Sequence, residues 1–547
     1  LSFHKNRKYL SKVSIYFYCK LYGGKNVKKI FLSLVLLCIV AGILASGCVE
    51  KKAPAPEKKV EEKPLIIGTT DKITVLDPAK SYDFYTWEVF NNIGEGLLRY
   101  KPGTTDIEPG LAESYTVSED GLVYTFKLRE GLKFTDGTPF NASVVKWSIE
   151  RVLRLNADPS WLVESFVDSV NVVDEYTVQI KLKKPVSYFP ALLALDPPYY
   201  PVSPKAYPAN EIKDSTVGIG PYKVVKWVRD QELILEANPD YYGEKPKTKK
   251  VVIKFYKDAA TMRLALEKGE IDVAWRTLSP VDIKDLEEKG KFNVIGVPGG
   301  YIRYIVINVE TPPLSNKTLR QAIAYAVDRK AIADKVFYGT VEPLYSMVPI
   351  GMWSHIDAFK EKYGERDLEK AKELLKQCGY SEDNPLELEF WYTPTHYGDT
   401  EKDVAAVIKE SLEETGMIKV TLKSAEWATY AAEYIAKGTM PIFLLGWYPD
   451  YIDPDNYLTP FLHSEYSADL GSRYKNPEMD KLLEEAQIKL SKEERTKLYE
   501  DAQRLLAEDV PLIPLFQGKL YIVTQTNVKG VTLDPTMMLR YYLIYKE

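Results

Sequence analysis

Residues 110–145 read GLAESYTVSEDGLVYTFKLREGLKFTDGTPFNASVV, and this stretch decides the fold. Residues 122–128 alternate apolar and polar side chains, the period of a half-buried strand. Glu119-Asp120-Gly121 and Asp136-Gly137 carry turn chemistry, since Asp bonds its own backbone and Gly reverses the chain without steric cost. The spacing therefore predicts turn, strand and second turn, followed by a helix over 142–154. It is scaffold, and function has to be argued from a site elsewhere.

Working outward, further strands are predicted at 65–70 (LIIGTT), 176–182 (YTVQIKL), 251–256 (VVIKFY), 302–309 (IRYIVINV) and 441–447 (PIFLLGW). Leu319, Ile323, Ala326, Val327 and Ile332 recur at helical spacing and predict one helix from about Lys317 to Phe337, stopped by Gly339. Other helices are expected near 259–268, 367–377, 402–415 and 477–508, the last broken near Ser491. Strands dominate the first half and helices the second, so a mixed α/β protein with two unlike lobes is expected. A chain of 547 residues has room for several domains and a large core.

The net charge is −5, but the first 47 residues hold eight basic side chains and no acidic one; the other 64 basic residues against 77 acidic ones leave the body at −13. Such a body lacks the basic surface that nucleic-acid binding needs, so no nucleic-acid partner is expected. From Val27 the text runs VKKIFLSLVLLCIVAGILASGC, a basic start, an apolar run and small residues before Cys48, which is signal-peptide architecture. Residues 1–26 read as an N-terminal extension from a misassigned start, 27–47 as the signal, and 48–64 as a lipidated Cys48 with a disordered tether rich in Lys, Glu and Pro. An uncleaved anchor is the alternative; either device places the body outside the cytoplasmic membrane. In the mature body only Cys378 remains beside Cys48, so no intrachain disulfide is expected.

The 110–145 stretch resembles the signature of the family 5 extracellular solute-binding proteins of ABC importers, the dipeptide, oligopeptide and nickel group. Phe134 stands where Trp is usual and Ser143 where Asp is usual. The resemblance continues through GIGPYKVVKW at 218–227, NPDYYGEKPK at 238–247, LRQAIAYAVDRKAI at 319–332, EWATY at 426–430 and GWYPDYIDPDNYLTPFL at 446–462. It implies an α/β periplasmic-binding fold of type II, with two lobes, a hinge and three domains. Carried onto this chain, lobe I takes 65–100, 213–300 and 515–547, a domain inserted in it takes 101–212, and lobe II takes 301–514. A peptide ligand would be enclosed between the lobes and passed to ABC permease and ATPase subunits by a monomeric receptor.

The same resemblance gives candidate site residues. Asp450 matches the carboxylate that receives a ligand's α-amino group, a group that needs a paired charge once desolvated. Trp447 and Trp427 match tryptophans lining side-chain pockets, whose flat apolar faces accept varied side chains. Dipeptide binders place an Arg for the ligand carboxylate in the segment matching 392–402, and here that segment, YTPTHYGDTEK, has none. His396 is the nearest substitute, and a neutral imidazole does not replace a bidentate clamp, which favours longer peptides over strict dipeptides.

No nucleophile elbow, phosphate loop or His-Glu-x-x-His motif occurs, so no catalytic residue, enzyme activity or cofactor is expected. Asp450-x-x-Asp453-x-Asp455 lacks the Gly and terminal Glu of a calcium loop, and His355, His396 and His463 lie far apart, so no metal site is legible. Oligosaccharide or nickel receptors are the rival ligand readings. A surface scaffold or adhesion lipoprotein is the rival from another class.

Overall fold

The computed structural model describes residues 63–276, 278–394, 396–398, 400–533 and 536–547. The extension, the signal and Cys48 lie outside the described residues. The strands expected at 65–70, 251–256, 302–309 and 441–447 belong to one large mixed sheet. Its order is Ile418–Ser424, Leu386–Tyr392, Ile442–Trp447, Asn293–Ile307, Leu512–Thr524, Val273–Trp275, Leu65–Thr69, Lys250–Phe255, Glu232–Ala237, Tyr222–Val228, with Val341–Pro343 paired to Leu512–Thr524 beside this path.

Two long antiparallel strands, Asn293–Ile307 and Leu512–Thr524, join the two halves of that sheet. Their register runs from Asn293 opposite Thr524 to Val306 opposite Leu512, interrupted between Pro298 and Ile302. There the chain bulges, and the Tyr301 ring lies across Gly518: a Cβ on Gly518 would sit 1.6 Å from Tyr301 Cζ. Gln517 fastens the bulge by donating from Nε2 to the carbonyl of Gly299 at 2.6 Å.

The 110–145 stretch folds as expected. Ala112–Val117 and Val123–Leu128 pair as a hairpin within a four-stranded antiparallel sheet completed by Thr177–Leu182 and Val167–Asp174. The turn is built by Asp120, whose Oδ1 accepts from the Leu122 amide at 3.0 Å, and by Gly121 at φ +71°. Asn141 then caps the helix Ala142–Leu155 by accepting from Val144 N. The helix carries Arg151, which clamps the buried Asp77 through both guanidinium arms at 2.8 and 2.6 Å. Beyond the sheet, Tyr188 stacks on Tyr451 with centroids 4.6 Å apart and planes 6° from parallel.

One expectation changes. The single helix from Lys317 to Phe337 is two helices, Lys317–Ala326 and Arg329–Lys335. Val327 turns to ψ 124°, and the Asp328 side chain accepts from Ala331 N to start the second helix. Apolar periodicity persists through the break because both helices bury the same side, so the pattern alone conceals it. Buried Arg329 rewards the change of direction by donating to the carbonyls of Leu344 and Pro514.

Candidate functional site

The chain segments on either side of the two joining strands enclose a cavity of about 640 Å³. Arg276, Ile283 and Met537 line it on one side; Arg303, His396, Tyr397, Glu401 and Tyr448 line it on the other, with Tyr301 from the bulge. Tyr301 and Tyr448 stack at 5.3 Å, and Phe84 packs on Tyr448 at 6.1 Å. Aromatic faces of this kind bury varied apolar groups without selecting one shape.

Next to Tyr448 lies Asp450, positioned by the turn that follows the strand Ile442–Trp447. Asn456 fixes the turn: its Oδ1 accepts from the Asp450 amide at 2.9 Å and from Trp447 Nε1 at 3.0 Å. The Asp450 carboxylate accepts from the hydroxyl of Tyr82, 368 residues earlier, at 2.7 Å. Burial raises the Asp450 carboxyl above the ordinary carboxylate range, while the bonds from Tyr82 and Asn456 hold it down. A half-buried carboxylate that accepts from a hydroxyl and pairs with no cation among the described residues is suited to receive a donor-rich positive group.

Asp450 is not among the residues lining the cavity, whereas two arginines with protein partners are. Arg303 enters from the joining strand Asn293–Ile307 and meets the 392–402 segment, in which no Arg occurs. Its Nε pairs with Glu401 at 3.2 Å, Nη2 donates to the Tyr397 carbonyl at 3.3 Å, and the guanidinium covers the Tyr397 ring at 4.1 Å. Arg276, held at φ +46° just after the strand Val273–Trp275, donates to the Met537 carbonyl at 2.7 Å and faces Asp71 at 3.7 Å.

Residues 106–469 match the model of bacterial extracellular solute-binding proteins, family 5. The chain belongs to this family. A probable D,D-dipeptide-binding periplasmic protein, DdpA, of Escherichia coli K12 is 31% identical, over 88% of this chain and 94% of its own. Heme-binding protein A of Haemophilus influenzae is 32% identical, over 91% of this chain and 95% of its own. The structure of the periplasmic binding protein DppA of Helicobacter pylori, in complex with the peptide STSA, superposes with a TM-score of 0.71 at 29% identity, covering 89% of this chain and 98% of that one. The fold is that of the type II periplasmic-binding proteins of this family.

Within this family 5 protein, the other residues singled out from sequence are placed as follows. His396 lines the cavity, and Trp427 lies flat behind it, the rings 3.8 Å apart and 2° from parallel. Burial, then the charge of Arg303, lowers the His396 pKa and keeps the ring neutral at neutral pH. Trp447 packs edge-on against Phe461 at 5.0 Å and reaches Asp450 through Asn456. The acidic run divides: Asp453 pairs with Arg495 at 2.6 Å and Asp455 accepts from Tyr451 and Thr459, so both serve structure, while Asp450 faces Tyr82. Among the described residues no group of three or more His, Cys, Asp or Glu could hold a metal ion, and no helix is long and apolar enough to cross a membrane. Tyr82, Asn456 and Arg303 carried no sequence signal of their own.

Proposed function

We propose that this chain is the peptide receptor of an ABC importer, a non-enzymatic monomer tethered outside the cytoplasmic membrane through Cys48. It captures peptides between lobe I (65–100, 213–300 and 515–547, with 101–212 inserted) and lobe II (301–514), and presents them to the permease and its ATPase. The strand pair Asn293–Ile307 and Leu512–Thr524 serves as the hinge, and ligand favours closure by touching both lobes only in the closed state. The observation that carries the reading is Asp450, which bonds to a neutral Tyr82 hydroxyl where a ligand ammonium would supply charge and more donors. Relatives named for dipeptides support it, as does the peptide complex of the superposable DppA.

The carboxyl end of the ligand is read less strictly. Arg303 is spent on Glu401, so peptides of differing length fit this site better than dipeptides alone. Asp450→Asn tests the reading. Removing one partner of a buried charge pair costs about 2–5 kcal/mol, so affinity for free-amino peptides should fall on the order of 100-fold, measured by calorimetry. Affinity for N-acetylated peptides should not change. Equal losses for both sets would remove Asp450 from the ammonium role.

A further inference from the structure

Three consecutive residues of lobe II are each held by a tyrosine of lobe I. The Tyr82 hydroxyl donates to the Asp450 carboxylate at 2.7 Å, the Tyr188 ring stacks on Tyr451 at 4.6 Å with the planes 6° from parallel, and the Tyr100 hydroxyl donates to the Ile452 carbonyl at 3.3 Å. Beside the stack, Ser187 donates from its amide to the Gln487 carbonyl at 2.8 Å and from its hydroxyl to the Ala486 carbonyl at 3.2 Å. Tyr188 and Tyr451 are buried, and neither they nor Ser187 line the cavity.

Each face of this contact is set by its own lobe. Tyr188 precedes the helix Phe189–Leu195, and Phe166 meets its ring edge-on at 5.8 Å and 88°. In lobe II the Tyr451 hydroxyl donates to Asp455 Oδ2 at 2.7 Å, Gln487 Nε2 donates to Asp455 Oδ1 at 3.0 Å, and Arg495 Nε donates to the Ala486 carbonyl at 3.1 Å. Faces so fixed dock without first ordering their side chains, which leaves more of the contact free energy for association. The four-stranded sheet of the inserted domain shares no strand with the large sheet, and its chain enters and leaves from lobe I. Packing and hydrogen bonds, without strand pairing, therefore hold this domain against lobe II among the described residues.

We propose that Tyr100, Ser187 and Tyr188 of lobe I form, with Tyr451, Ile452 and the end of the helix Pro477–Ile488, a latch that closes the receptor without ligand. It lies apart from the cavity, so it acts on whether the lobes meet and not on what they enclose. The inference rests on the two-lobe reading given above and on no ligand class. A ligand that displaces Tyr82 from Asp450 leaves the other two tyrosines in place, so closure survives capture. A closed fraction present beforehand raises the affinity for every ligand by the same factor.

Small-angle X-ray scattering of the full chain without ligand tests this on wild type, Tyr188→Phe and Tyr188→Leu. Phenylalanine keeps the stack and leucine removes it. The expected result is one radius of gyration for wild type and Tyr188→Phe and a larger one for Tyr188→Leu. Affinities of Tyr188→Leu for trialanine and N-acetyl-trialanine should fall by one common factor of about tenfold or less. Equal radii for wild type and Tyr188→Leu, whether compact or expanded, overturn the inference, as does a loss confined to one of the two probes. Trialanine that binds neither protein counts against the peptide reading alone, because the scattering comparison needs no ligand. Should Tyr188→Leu not fold, Tyr451→Leu makes the same comparison from the lobe II side.

Discussion

The arginines that line the cavity and two aspartates outside its lining differ in how their charges are settled. Arg303 has a carboxylate, backbone carbonyls and an aromatic face, and Arg276 has a carbonyl and Asp71. Asp450 has one phenol hydroxyl and one side-chain amide neighbour, and the fully buried side chain of Asp196 has no hydrogen-bond partner among the described residues. Both arginines thus have a carboxylate partner from the protein, while Asp450 has neutral ones only. On the proposed peptide reading, such a difference would direct electrostatic selectivity to the positive end of a ligand.

The contrast breaks most severely at Glu401. Glu401→Leu leaves Arg303 buried without its counter-charge and should cost about 3–5 kcal/mol of stability in urea melts; the double variant Arg303→Met/Glu401→Leu should recover most of it. In the milder Glu401→Gln, the freed guanidinium should make the cleft prefer free-carboxyl peptides to their amides by about tenfold, bringing back the clamp that the sequence lacks.

Glu88 sharpens the acidic side of the comparison. It is as buried as Asp196 but fully supplied, accepting from Trp275, Tyr541 and the Leu539 amide, and burial nonetheless pushes it up to about 7. A carboxyl raised by folding contributes its stability below the unfolded value and loses it as pH rises through about 7. Between pH 5 and 9, wild type should lose roughly 3 kcal/mol relative to Glu88→Gln, read from melts across that range. Peptide binding should not respond, which separates a structural carboxylate from a receptive one.

Smaller effects test the walls. Gly518→Ala displaces the Tyr301 ring from the strand and with it the stack on Tyr448, so peptide affinity should fall about tenfold while the fold persists. Trp427→Ala removes only the ring behind His396 and should weaken binding by about 1 kcal/mol or less in the same titration.

Much of the fold was legible because turns and strands are local: Asp120-Gly121 and Asn141 act within three residues of themselves. Asp450 was legible only through family resemblance, and the lack of an Arg in 392–402 was visible by inspection. The partners were not, since Tyr82 reaches Asp450 across 368 residues and Arg303 reaches Glu401 across 98. Asp196, ahead of Pro197 and Pro198, carried no sequence signal, and only its burial without hydrogen-bond partners among the described residues sets it apart. The break at Val327 escaped because periodicity records a buried side and not a continuous axis.

The strand Leu512–Thr524 has a consequence for how the molecule is made. It lies between strands that leave the ribosome hundreds of residues earlier, and residues just beyond it supply the Glu88 donors Leu539 and Tyr541. Neither half of the great sheet is complete until almost the whole chain has emerged. Such late, long-range closure folds slowly and leaves the sheet open until the last strand is added.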